Sequence, residues 1–374
     1  MRIAARGACV AAAVVALLAI AERSAHASDC SVTSTGMVPL TDLGTALYLD
    51  QYPGGLYPDG NALPSDHRTA GLARAALVTP RNAAGEPDAN GKVVMLSIGM
   101  SNTEQEWCFF NSVLDRCSSF SFTGQALADP DVDHATLAIA DGASGGQTAP
   151  YWTAPDAQNY TRVLNDVLEP AGLTPAQVQV AWVKLANGAP TVHLPDPSAD
   201  AFVLEGQIAE VARSLRVNYP NLALVFLSSR IYAGYADTTL NPEPYAYETG
   251  FSVKWLIEAQ IDQMRGAGPD ARTGDLDYTT GVAPWLAWGP YLWADGLTPR
   301  SDGLTWSCSD LGIDGTHPSD YGRQKVGGML LDFFLGSEIA APWFRAAPEP
   351  AGIGMGAASL ATLAALVRRR RSAR

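Results

Sequence analysis

The stretch VVMLSIGMSN, Val93–Asn102, decides how this chain folds. Its first seven residues, Val93–Gly99, are a short apolar run of the length and composition of a strand buried on both faces. Ser101 stands two residues past that run, behind a glycine. A serine where a strand turns into a helix can be presented clear of a sheet, with its own N–H aimed at a substrate oxygen. The same position also suits a simple helix cap.

Working outward, four further runs share this texture: Ala135–Ala140, Val178–Ala186, Leu222–Ser228 and, more weakly, Val282–Trp288. Between them lie patterns with apolar residues at helical spacing. One follows Gln158, one starts near Asp200, one starts at Glu248, and the last has Ser319 as its cap. Near-continuous apolar strands alternating with helices predict parallel strands covered on both faces. The expected fold is α/β, a three-layer α/β/α sandwich around a central, mostly parallel five-stranded sheet. Ligands in such sheets bind at the carboxyl ends of the strands, so chemistry is expected in the loops that follow them. Residues 28–90, rich in Gly, Pro, Asp and Asn, read as an irregular extension ahead of a domain at 91–340.

Those loops hold the reactive side chains. In DGASGGQTAPYW, Asp141–Trp152, one of Gly142, Gly145 or Gly146 can bring a backbone N–H close to a ligand. Gly142–Gly146 also spells G-x-S-x-G, which makes Ser144 an alternative nucleophile. An elbow serine leads straight into a helix, however, and here Pro150, Tyr151 and Trp152 follow closely. In KLANGAP, Lys184–Pro190, Asn187 or Lys184 can supply a donor to the same cleft. GIDGTHPSDYG, Gly312–Gly322, sets Asp314 and His317 three residues apart, directly before the last helix. There His317 can take a serine proton while Asp314 orients its ring.

DGTHPSDYG, IGMSN and GASGG, in that order along the chain, resemble the blocks of the SGNH or GDSL-like hydrolase superfamily. Gly-x-Ser-Asn at Gly99–Asn102 is most similar to carbohydrate O-acetyl esterases. The resemblance runs from about Val93 to Phe334. It implies a flavodoxin-like architecture, with Ser101 as nucleophile, His317 as general base and Asp314 as its orienter. It also implies an oxyanion hole from the N–H groups of Ser101 and Gly145, with Asn187. Of the family's third block, Gly-x-Asn-Asp, only an asparagine remains in KLANG. The implied activity is a serine esterase removing acetyl or other acyl esters from surface polysaccharide. The alternative is a non-catalytic surface protein of the same fold that binds exopolysaccharide. Trp152, Trp285, Trp288, Tyr291, Trp293 and Trp306 fall near the strand-end loops, where aromatic faces can stack on sugars.

The ends read as processing signals. Residues 1–27 pair Arg2 and Arg6 with an apolar run and an Ala-His-Ala site, the pattern of a secretory signal peptide. Residues 348–374 run Pro-Glu-Pro, then the apolar Ala351–Val367, then Arg368–Arg371. This tail resembles the PEP-CTERM sorting signal of Gram-negative bacteria. That implies a transient inner-membrane segment, an exosortase-type processing enzyme as partner, and a destination at the outer surface or beyond. A permanent single-span transmembrane anchor is the other reading of the same stretch.

The chain carries −13, and the two ends carry +2 and +4, so the part between them carries −19. So acidic a surface repels phosphate backbones and argues against nucleic acid as a partner. Cys30, Cys108, Cys117 and Cys308 are an even set in an exported chain, which suggests two disulfides. Cys108–Cys117 is the natural local pair, and three pairings stay open. No H-x-H, H-E-x-x-H or G-x-x-x-x-G-K-[ST] occurs, so neither a metal nor a nucleotide cofactor is expected.

Overall fold

The computed structural model describes residues 28–111 and 116–346. Five strands form its main sheet: β1 Val93–Gly99, β2 Leu137–Asp141, β3 Val178–Lys184, β4 Leu224–Leu227 and β5 Trp285–Trp288. Their order in space is β2-β1-β3-β4-β5, and every neighbouring pair is parallel. β1, β3, β4 and β5 are buried at every position, which is why they lack the apolar/polar alternation of a half-exposed strand. β2, at one edge, is only partly covered.

The strand order also sorts the helices. The chain leaves β1 toward β2, then crosses back over β1 to β3 and continues outward to β4 and β5. Right-handed crossovers in opposite directions place their helices on opposite faces. One layer therefore holds α2 Ser101–Cys108, α3 Phe122–Ala128 and the terminal α7 Asp320–Gly336, which pack on one another. The other holds α4 Gln158–Arg162, α5 Asp200–Asn218 and α6 Tyr245–Asp262. This is the three-layer α/β/α sandwich expected, with a sheet that is wholly parallel. The order reverses between β1 and β3, and the crevice at the carboxyl ends of those strands is where such sheets hold ligands.

Element ends moved by a few residues. α6 starts at Tyr245 rather than Glu248, and α4 runs on through the wider turns of Val163–Leu168. Residues 28–90 hold a helix, α1 Ser65–Ala75. Its buried face is His67, Gly71 and Ala75, so its inward side carries no large aliphatic residue to mark the period. The close approach is demanded by Trp285: a Cβ at Gly71 would stand 2.5 Å from its ring.

Both disulfides form, Cys108–Cys117 and Cys30–Cys308, one of the three pairings left open by sequence. The expectation of a transmembrane segment is corrected. Among the described residues no helix is long and apolar enough to cross a membrane. The longest, α5, carries Asp200, Glu205, Glu210, Arg213 and Arg216. Residues 1–27 and 348–374, where a leader and a sorting tail are expected, lie outside the described residues.

Candidate active site

β1 ends at Gly99, and α2 begins two residues later with Ser101 as its first residue. The turn is tight. A Cβ on Gly99 would lie 2.2 Å from Thr103 Oγ1 and 2.5 Å from the Lys184 carbonyl, so only glycine lets α2 start here. Thr103 Oγ1 donates to that Lys184 carbonyl at 2.7 Å, which fastens the first turn of α2 to the end of β3. As the first helical residue, Ser101 keeps an N–H that the helix does not use.

The loop before α7 comes to meet it. Gly315 has φ +62°, and a Cβ there would lie 2.2 Å from the Tyr235 carbonyl. Glycine is thus required both for the left-handed turn and for the approach. The turn folds Asp314 back on His317. The ring Nδ1–H donates to Asp314 Oδ2 at 2.5 Å, and the N–H groups of His317 and Thr316 both donate to Oδ1 at 3.0 Å. Partial burial works against the carboxylate's charge, but the His317 ring and these two N–H groups outweigh it and hold Asp314 well below the usual carboxylate range. The ring is left with Nε2 facing Ser101, whose Oγ–H donates to it at 2.7 Å. Asn102, 1 % exposed, ties the two loops together through a bond from Nδ2 to the Thr316 carbonyl at 2.9 Å.

Ser101, His317 and Asp314 thus meet across more than two hundred residues of chain. Gly145 stands beside the serine: a Cβ on it would lie 3.9 Å from Ser101 Cβ. Its loop is shaped by Ser97, whose Oγ accepts from Gly142 N at 3.1 Å and Ala143 N at 3.2 Å and donates to Asp141 at 2.5 Å. Burial pushes the Asp141 carboxyl well above its ordinary value. Asn187 lines the same cavity. One of its Nδ2 hydrogens is held by Asp200 Oδ1 at 2.8 Å, which leaves the other as a donor.

Ser144 is not brought to a histidine. Its N–H donates to the Gly99 carbonyl at 3.1 Å, and the chain continues into a loop and the short 3-10 turn Ala149–Trp152 rather than straight into an α-helix. Lys184 does not donate into the cleft either. It is fully buried, and its Nζ stands 2.6 and 2.5 Å from the two oxygens of Glu106 on α2. Burial drives both partners toward their neutral forms and brings the Lys184 amine down to about 8. The aromatic residues expected to stack on sugars are core residues. Trp152, Trp285, Trp293 and Trp306 are 0 % exposed, and Trp288 and Tyr291 are nearly so. Their indole N–H groups are taken inside, as in Trp293 to Glu243 at 2.8 Å and Trp306 to the Leu292 carbonyl at 2.9 Å. A large ring with one polar atom is stable in a core once that atom is bonded.

The cavity over Ser101 and His317 measures about 260 Å³ and has walls from Met100, Gly146, Thr148, Asn187, Arg230 and Leu240. A larger, more open hollow of about 660 Å³, beside Tyr52, Phe202 and Trp255, shares none of its lining residues. Arg230 and Glu106 are site neighbours that the sequence reading did not single out, and Asn102 entered it only as the last residue of Gly-x-Ser-Asn. Arg230 carried one signal: it is a charged residue three positions past the apolar run of β4, at the ligand-binding end of the sheet.

No protein-family model matches the chain, and no curated protein does. Among solved structures, a putative GDSL-like lipase from Parabacteroides merdae is similar at 12 % identity and TM-score 0.34, covering 68 % of this chain and 97 % of its own. TesA is similar at 14 % and 0.34, covering 64 % of this chain and 97 % of its own. A carbohydrate esterase family 2 enzyme of Corynascus (Myceliophthora fergusii) is similar at 14 % and 0.34, covering 64 % of each chain. At such scores the likenesses carry no argument, and the functional reading rests on the geometry of the site.

Proposed function

We propose that this protein is a serine esterase of the SGNH type. The observation that carries the proposal is the bond of 2.7 Å between Ser101 Oγ and His317 Nε2, in a ring whose other nitrogen is bonded to Asp314. His317 takes the hydroxyl proton as Ser101 Oγ attacks the ester carbonyl, and Asp314 stabilises the imidazolium that forms. The charge developing on the carbonyl oxygen is met by the N–H of Ser101 and by donors on the Gly145–Gly146 turn and on Asn187. The proton then passes from His317 to the departing alcohol, and water, activated by the same ring, releases the acid from Ser101. Every step uses groups already in place, and none calls for a metal or cofactor.

The substrate is an acyl ester carried by a surface polysaccharide, and the protein acts outside the cytoplasm. The leader and PEP-CTERM-like motifs support that destination, with an exosortase-type enzyme acting on the tail. The two disulfides are of a kind that persists in oxidising compartments. The test is reaction of the intact protein with a fluorophosphonate probe, followed by peptide mapping. Label is expected on Ser101, lost in Ser101→Ala and kept in Ser144→Ala. Label on Ser144 would transfer the nucleophile's role. No label at all, with binding to an acylated glycan retained, would leave the fold as a binding protein.

A further inference from the structure

Arg230 sits just past the carboxyl end of β4, in the wall of the cavity that holds Ser101 and His317. It is 1 % exposed, and its Nε and Nη2 are buried with no hydrogen-bond partner. An arginine in a protein stays charged and presents five donors in a planar fork. Leaving such a group buried and unpaired is costly, so a built partner is expected. Three carboxylates lie close enough to influence it, those of Glu106, Glu243 and Asp314. Each is committed elsewhere. Both oxygens of Glu106 hold Lys184. Glu243 accepts from Ala233 N, Trp293 Nε1 and Tyr247 N, all at 2.8–2.9 Å. Asp314 holds His317 and Thr316.

Resting on the esterase reading, we infer that the substrate carries a carboxylate that docks on the Arg230 guanidinium while its ester lies on Ser101. Apart from the His317 ring, which faces Ser101, the other lining residues of the cavity, among them Met100, Gly146, Thr148 and Leu240, include no second cation. One guanidinium balances one charge, and its fork matches the two oxygens of a carboxylate. A dianion is disfavoured further by the acidity of the protein between its two ends. The carboxylate has two possible sources, the acyl group of a hemiester or the sugar ring of an acylated uronate. Both present the same group to Arg230.

The test uses two matched substrate pairs. The first is 4-nitrophenyl hemisuccinate against 4-nitrophenyl butyrate. The second is an O-acetylated methyl glucuronoside against the O-acetylated methyl glucoside. Wild-type protein is expected to favour the charged member of one pair by roughly tenfold or more in kcat/KM, the worth of a desolvated charge-assisted pair. Preference in the first pair assigns the carboxylate to the acyl group, and preference in the second assigns it to the sugar. In Arg230→Met the preference should collapse toward one, while Arg230→Lys keeps part of it as a point charge without the fork. Melting temperatures are read alongside. The wild type should gain stability from succinate or glucuronate, and Arg230→Met should not. A wild type that favours the neutral member of both pairs, or a preference that survives Arg230→Met, overturns the inference. So does an Arg230→Met protein that fails to fold, since the guanidinium would then be structural. If no ester is turned over, the esterase reading has failed by itself. The melting shift then decides the arginine site alone: an Arg230-dependent rise supports it and no rise overturns it.

Discussion

Replacing Lys184 by Met tests the charge arrangement beside Ser101 and His317. Lys184 and Glu106 are both 0 % exposed, with Nζ 2.6 Å from one carboxylate oxygen. At an effective dielectric of ~20 the attraction across that distance is about 6 kcal/mol, most of it offset by the desolvation of two ions. Methionine has nearly the length of lysine, so packing changes little, but Glu106 loses its partner. Removing one member of a buried pair costs roughly 3–5 kcal/mol. A ceiling follows from protonation. Glu106 can escape by binding a proton, which at pH 7, for a group that titrates near ~4.3 when unfolded, costs about 4 kcal/mol. The sign is definite. In the variant the folded state binds the proton over a range where the unfolded state does not, so folding is favoured as pH falls. The deficit relative to wild type should therefore shrink by about 1.4 kcal/mol per pH unit, to about 1 kcal/mol at pH 5. Urea unfolding followed by tryptophan fluorescence at both pH values reads it. The double variant Lys184→Met/Glu106→Leu should recover to within about 1.5 kcal/mol of wild type, since apolar replacements of a buried pair are tolerated. A deficit that is the same at pH 5 and pH 7, or a double variant as unstable as the two single ones summed, would refute the reasoning.

Three further outcomes are expected. Asp314→Asn keeps its carbonyl oxygen for the His317 and Thr316 N–H groups but turns an NH2 donor toward the ring Nδ1, which favours the wrong tautomer; kcat should fall roughly a thousandfold or more, with melting little changed. His67 is buried against Trp285 with ring centroids 4.8 Å apart, and burial lowers its pKa to about 4. The folded state therefore stays neutral where the unfolded one takes a proton, and stability is lost as pH falls from about 6.5 toward 4. The wild-type profile between pH 7 and 4.5 should carry roughly 2–3 kcal/mol of acid loss that His67→Gln lacks, read as the difference between their unfolding curves. Cys30→Ser/Cys308→Ser opens a closure across 278 residues. It should cost roughly 3–5 kcal/mol and free the segment at Ser34–Gly36 from Asp295, seen as early proteolysis there. Unchanged melting would show that the packing of this segment holds it without the bridge.

The parts legible in the sequence are those governed by local rules. The central strands β1, β3 and β4 announced themselves because burial on both faces leaves a near-continuous apolar run. Asp314 and His317 were visible because one short loop carries both, and Ser319 caps α7 through Gly322 as expected. α1 was hidden because its buried face consists of His67, Gly71 and Ala75, chosen to fit under an indole that is distant in sequence. The tryptophans near the strand ends were misplaced for a related reason. Position along the chain says that a ring is near a loop, but which way it points is set by the neighbours that take its N–H.

By itself, then, the sequence determined the α/β alternation, the loops that carry serine, aspartate and histidine, and the even set of cysteines. Those follow from periodicity and spacing, which are properties of a few consecutive residues. Only the tertiary structure decided that Ser101 rather than Ser144 faces His317, that Lys184 is spent on Glu106, and that Arg230 stands unpaired in the cavity wall. Each depends on helices and strand-end loops that sheet order brings together, and sheet order is a cooperative outcome of burying the whole core at once.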